Sequence, residues 1–200
     1  MSQFICDERT TVATKAGKLK GFALDSTYIF RGIRYATAGR FEAPVPVKPW
    51  EGVKSALNYG AISCTAFIQK HDSDIFIPHR DWYQSEDCQY LNIWTQSLDP
   101  KAKLPVMVWI HGGGYTMGSS IELEAFDGAN LSKYGDVVVV SINHRLNIIG
   151  YLDLKAHTDR YPDSANAGSK DIIASLKWVH ENITVFGGDP NNVTLFGQSG

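Results

Sequence analysis

A serine at position 199 ends the run Val193-Thr194-Leu195-Phe196-Gly197-Gln198-Ser199-Gly200, where a β-branched apolar segment passes directly into small residues. A chain forced from strand to helix through a tight turn holds the turn residue in strained backbone angles and projects its side chain from the sheet edge. A glycine two positions earlier makes room for that turn. The first four positions of the pattern G-x-S-x-G are present. Read alone, the string is also an ordinary turn of small residues.

A second run, His111-Gly112-Gly113-Gly114-Tyr115, follows the apolar segment that ends in Trp109-Ile110. Consecutive glycines can aim backbone N–H groups at one point, and acyl transfer needs donors where a carbonyl oxygen becomes an anion. The N–H groups of Gly113 and Gly114 are the candidate donors, and that of Gly200, just after the serine, would complete a three-donor oxyanion hole. Each donor contributes about 3 to 4 kcal/mol to such a transition state. A phosphate-binding loop is disfavoured, since neither G-x-x-x-x-G-K-[ST] nor G-x-G-x-x-G occurs. His111 is expected to brace the glycine backbone by hydrogen bonding, a role as general base being the lesser alternative.

No metal and no cofactor is expected. His71, His79, His144, His157 and His180 lack ligand spacing, and Asp72 and Asp74 lack the glycine and distal glutamate of a calcium loop.

Elements must bring those motifs together. Tyr90–Thr95, residues 106–110, 137–140 and 193–196 are compact apolar runs, suited to strands buried on both faces. Between the last two, Ile172, Leu176, Val179 and Ile183 recur at helical spacing, which predicts an amphipathic crossover helix over 171–182. Strands alternating with helices imply the α/β class: a mostly parallel central sheet with helices on both faces. Ligands of such sheets gather at the carboxyl ends of strands, so the loops leaving Ile110, Asn143 and Phe196 are where chemistry belongs. Residues 10–35 read as an antiparallel β-meander preceding the sheet. Residues 41–83, with prolines at 44, 46, 49 and 78, read as long surface loops.

At the scale of the whole chain, 200 residues with 44% hydrophobic content can bury one core. A net charge of −2 gives no reason to expect a nucleic-acid partner. No run of apolar residues is long enough to span a bilayer, and Met1 to Arg9 lacks the apolar core of a signal peptide. The expected location is cytoplasmic, with secretion open if the N-terminus is processed.

The two motifs occur in the order of an α/β-hydrolase, and the chain resembles the type B carboxylesterases, the family that includes the cholinesterases. The segments that carry the likeness are Gly32-Ile33-Arg34-Tyr35-Ala36, Arg40-Phe41, the run 85–94, His111 to Tyr115, Asn143-His144-Arg145-Leu146, Asn166-Ala167-Gly168 and the run 186–194. The resemblance implies an α/β-hydrolase in which Ser199 attacks a carboxylic ester and forms an acyl-enzyme that water then hydrolyses. The triad order serine, acid, histidine would put the other two members beyond Gly200. Family members are more than twice this length, so the chain is expected to be the amino-terminal part, 1–200, of a single domain. Alone it should be inactive and poorly soluble, with an apolar sheet edge uncovered. The substrate would be a small ester, and oligomeric state is not legible.

The resemblance also makes Arg40 and Glu86 an internal, partly buried ion pair, and Cys64 and Cys88 a disulfide that could form, with reduced thiols as the alternative. The sequence departs from the family pattern at Gln198, at His144 where tyrosine is common, and at Ser169 and Ile172 where leucine and glutamine are. A rival reading is a non-catalytic binding or adhesion protein on the same scaffold, although such relatives usually lose the serine.

Overall fold

The computed structural model describes residues 3–65 and 79–200. His71, Asp72, Asp74 and Pro78, weighed above, lie outside that range. In chain order the strands are β1 (Phe4–Ile5), β2 (Thr11–Ala13), β3 (Lys18–Lys20), β4 (Phe22–Leu24), β5 (Thr27–Arg34), β6 (Ala36–Thr37), β7 (Val45–Pro46) and β8 (Val53–Ser55). They continue with β9 (Tyr90–Thr95), β10 (Leu104–Ile110), β11 (Val138–Ile142) and β12 (Gly188–Gly197). The helices are α1 (Ala129–Gly135), α2 (Asn147–Tyr151) and α3 (Ala167–Asn182).

Seven strands form the main sheet, in the order β1-β4-β5-β9-β11-β10-β12. The runs read as buried strands are β9 to β12, and the predicted crossover helix is α3, which begins at Ala167 rather than 171. The parallel part is smaller than expected: parallel pairing is confined to β11, β10 and β12, while β9 pairs antiparallel with both β5 and β11. Burial on both faces depends on what covers a strand rather than on its direction, so the unalternating run of β9 could not reveal its orientation. The meander divides as well. Strands β4 and β5 extend the main sheet, whereas β2 and β3 join β8 in a separate three-stranded sheet.

Alternation along β11 builds the two layers. Val138, Val140 and Ile142 join Trp178 and Val179 of α3, with Phe30 and Phe186, in the larger apolar cluster. Val139 points the other way, with Trp94, toward Ala129 of α1. Helices thus cover both faces. Phe30 and Phe186 meet edge to face with centroids 5.0 Å apart, joining the meander to the turn after α3. No helix among the described residues is long and apolar enough to cross a membrane.

Candidate active site

Strand register decides which loops meet. Ile110 of β10 is level with Ile142 of β11 on one side and Gly197 of β12 on the other. The segments starting at His111, Asn143 and Gln198 therefore leave the sheet at the same height, at the carboxyl ends of three parallel strands. They enclose a cleft of about 430 Å³ lined by His111, Gly112, Tyr115, His144 and Ser199, among others. A larger cleft of about 560 Å³, between α3 and residues 43–49, contains none of the candidate site residues.

Ser199 is exposed at the tip of β12 with φ +58°, the left-handed region that costs a non-glycine residue about 1 to 2 kcal/mol. That is the strained turn the sequence pointed to. The glycine loop lies directly against it. The Gly114 N–H donates to the carbonyl of Gly200, and a Cβ on Gly112 would fall 2.4 Å from the Gln198 carbonyl oxygen. Only glycine at 112 permits this approach. Gly113 and Gly114 have φ of +122° and +59°, and Tyr115, at +60°, shares the left-handed region. The ring of Tyr115 packs edge to face on Tyr151, 5.3 Å away, and its carbonyl accepts from the Asn147 N–H at 2.6 Å.

The loop's far end is tied into a buried polar cluster. Asn92 Nδ2 donates to Ser120 Oγ at 3.3 Å and to Ser141 Oγ at 3.1 Å, while the Ser120 N–H donates to Asn143 Oδ1 at 2.8 Å. Each partner is buried, so breaking one bond would strand another polar group in a dry interior.

His111 and His144 are both buried, and their rings stack with centroids 4.9 Å apart at 28°. Desolvation lowers the pKa of His111. It takes His144 further down, to about 3, with the neighbouring His111 adding to the effect. Both rings are accordingly neutral at physiological pH. His111 Nδ1 is 2.8 Å from the Gly112 carbonyl oxygen, in agreement with the bracing role expected for it.

A buried ion pair supports the same edge. Arg145 and Asp171 are 1% and 0% exposed and bidentate, with Nε to Oδ2 at 2.8 Å and Nη2 to Oδ1 at 2.7 Å; the Arg145 N–H adds a third bond at 3.0 Å. In the sequence Asp171 stood out only as the expected start of a helix and Arg145 only as part of a matching segment. Nothing in a linear reading pairs them.

The pair that was expected, Arg40 with Glu86, does form, with Nε to Oε2 at 2.8 Å. It is not the partly buried clamp anticipated, since the Arg40 side chain is 65% exposed. Cys64 and Cys88 are free thiols, so the disulfide that the resemblance allowed is not formed. Cys88 is fully buried, and desolvation raises its thiol pKa, which makes it a poor nucleophile. Among the described residues no group of three histidine, cysteine or acidic side chains could hold a metal ion.

The match to known proteins covers almost the entire chain. Residues 8–200 fit the carboxylesterase family model. The sequence is 42% identical to para-nitrobenzyl esterase of Bacillus subtilis over 192 residues, covering 94% of this chain and 38% of that one. It is 38% identical to acetylcholinesterase of Gallus gallus, covering 96% of this chain and 26% of the relative. Among solved structures, an esterase from Clostridium hathewayi, described as able to hydrolyse aliphatic aromatic polyesters, superposes with a TM-score of 0.97 at 58% identity, covering 100% of this chain and 40% of its own. A Geobacillus stearothermophilus carboxylesterase superposes with a TM-score of 0.83 at 40% identity, covering 94% and 37%. The chain thus spans well under half the length of these relatives.

Proposed function

The chain belongs to the carboxylesterase family, and from that premise we propose that it carries the nucleophile and oxyanion hole of a serine ester hydrolase. The observation that carries the reading is Ser199, exposed at a strand tip in the left-handed region and faced by a glycine loop bonded to its own elbow. Such strain is kept where the chemistry needs the side chain presented.

In this mechanism Ser199 Oγ attacks the ester carbonyl carbon as its proton passes to a base. The carbonyl oxygen becomes an anion held by the N–H groups of Gly113, Gly114 and Gly200, the alcohol leaves, and water releases the acid from the acyl-serine. In this structure the Gly114 N–H is engaged by the Gly200 carbonyl. His111 is a poor candidate for the base, because its ring is occupied with Gly112 and its buried imidazole resists protonation. The order of triad residues in this fold argues for a histidine and an acid later in the polypeptide.

The cleft favours an uncharged substrate. Leu146, Ile172, Leu195 and Phe196 line it, and among the described residues no lysine, arginine, aspartate or glutamate does. Neutral esters with aliphatic or aromatic acyl groups fit that lining, and the polyester activity described for the Clostridium hathewayi relative points the same way.

The test is Ser199→Ala in the intact polypeptide. Turnover of a neutral aryl ester is expected to fall by at least about 10³-fold, and labelling by a fluorophosphonate probe to vanish. Retained turnover would refute the mechanism.

A further inference from the structure

We propose that His144 is a positioning residue for the oxyanion loop, acting through the ring of His111 on which it stacks; this rests on the reading of Ser199 and its amide donors given above. Peptide geometry supplies the link. The peptide unit is planar and trans, so the Gly112 carbonyl and the Gly113 N–H point in opposite directions. Wherever the Gly112 oxygen is held, the direction of the Gly113 proton follows.

Two groups hold that oxygen. His111 Nδ1 approaches it at 2.8 Å, and since a carbonyl can only accept, Nδ1 carries the ring proton. From another side comes the backbone of Gly118, where a Cβ would lie 2.4 Å from the Gly112 oxygen and 2.9 Å from His111 Nδ1. The His111 ring is itself tethered at one nitrogen only, because its buried Nε2 has no hydrogen-bond partner among the described residues. One bond fixes an edge of a ring but not its plane. The plane is set by His144, whose ring lies 4.9 Å away and only 28° from parallel.

His144 can do this because both of its chain neighbours are anchored by buried hydrogen bonds. Asn143 Oδ1 accepts from the Ser120 N–H, and Arg145 is clamped to Asp171 of α3. His144 is itself 3% exposed, and its Nδ1 too is buried without a partner among the described residues, so packing rather than hydrogen bonding defines its contribution. The charges around the stack are accounted for: Glu122, which faces His111, lies 3.0 Å from His79, and Arg145 is neutralised by Asp171. Support therefore runs from α3 through Asp171, Arg145, His144 and His111 to the proton of Gly113.

The experiment removes the His144 ring and then its nitrogens in the intact polypeptide. His144→Ala and His144→Leu are expected to lower kcat for a neutral aryl ester by about 10- to 100-fold, with KM within about threefold, because a donor aimed at the transition state is lost. His144→Phe, which keeps the stacking surface, should retain kcat within about threefold of the parent. A ringless variant that does not reproduce the parent melting curve is replaced by His144→Met. In a His111→Ala background the same substitutions should have no further effect. The inference is overturned if the ringless variants keep full kcat, if only KM changes, or if the losses are additive with His111→Ala. Ser199→Ala serves as the control: activity surviving there would defeat the esterase reading itself, whereas silent His144 variants beside an inactive Ser199→Ala would defeat this inference alone.

Discussion

Gly118 and Ser199 both have left-handed backbones, but for different reasons. Gly118, at φ +95°, is a packing necessity: any side chain would strike the Gly112 carbonyl that orients the loop. Gly118→Ala is expected to destabilise the fold by about 2 to 4 kcal/mol and to lower kcat by about 100-fold, measured by urea denaturation and aryl-ester turnover. A substitution affecting stability alone would show that the loop tolerates displacement of that carbonyl. Ser199 and the glycine run were legible in the sequence because their chemistry is local: strain and donor density are written in four or five adjacent residues. The stacking of His111 on His144 was not, since 33 positions separate them and only the level register of Ile110 with Ile142 sets them side by side.

Helix α3 was visible from its apolar spacing, yet its first turn, Ala167-Gly168-Ser169-Lys170, has no apolar stripe to announce it. Helices α1 and α2, of seven and five residues, are too short for periodicity to register and went unpredicted. The ion pair that the resemblance implied is the weaker of the two at this edge. Arg145→Ala leaves the Asp171 carboxylate buried and unpaired, and should cost about 3 to 5 kcal/mol. Arg40→Ala should cost about 1 kcal/mol or less, because water already solvates most of that guanidinium. Urea midpoints of the two variants provide the comparison, and equal losses would contradict the assignment of burial.

Across the whole molecule, the class and the layering were readable while the direction of β9 was not, because hydrophobic runs record burial and say nothing of polarity. Acid should expose a global weakness. His144 ionises near 3 when folded and near 6.5 when unfolded, so the unfolded chain takes up the proton first as pH falls. Its contribution to stability is complete above about pH 6.5 and is lost progressively toward pH 3, with His111 shifted in the same sense. The unfolding free energy of the intact protein, from urea denaturation, should therefore drop between pH 7.5 and 4.5 by a few kcal/mol at most, and less steeply for His144→Phe. An identical decline in both proteins would mean that other groups govern acid stability.

The left-handed turn at Ser199 also has a consequence for robustness. Folding gains nothing from a serine there, and glycine or asparagine would adopt the same angles at lower cost. Under the proposed mechanism it is the chemistry, and not the fold, that calls for the hydroxyl. A glycine in its place would relieve the turn and leave the scaffold more robust, at the expense of the group that the proposed reaction requires.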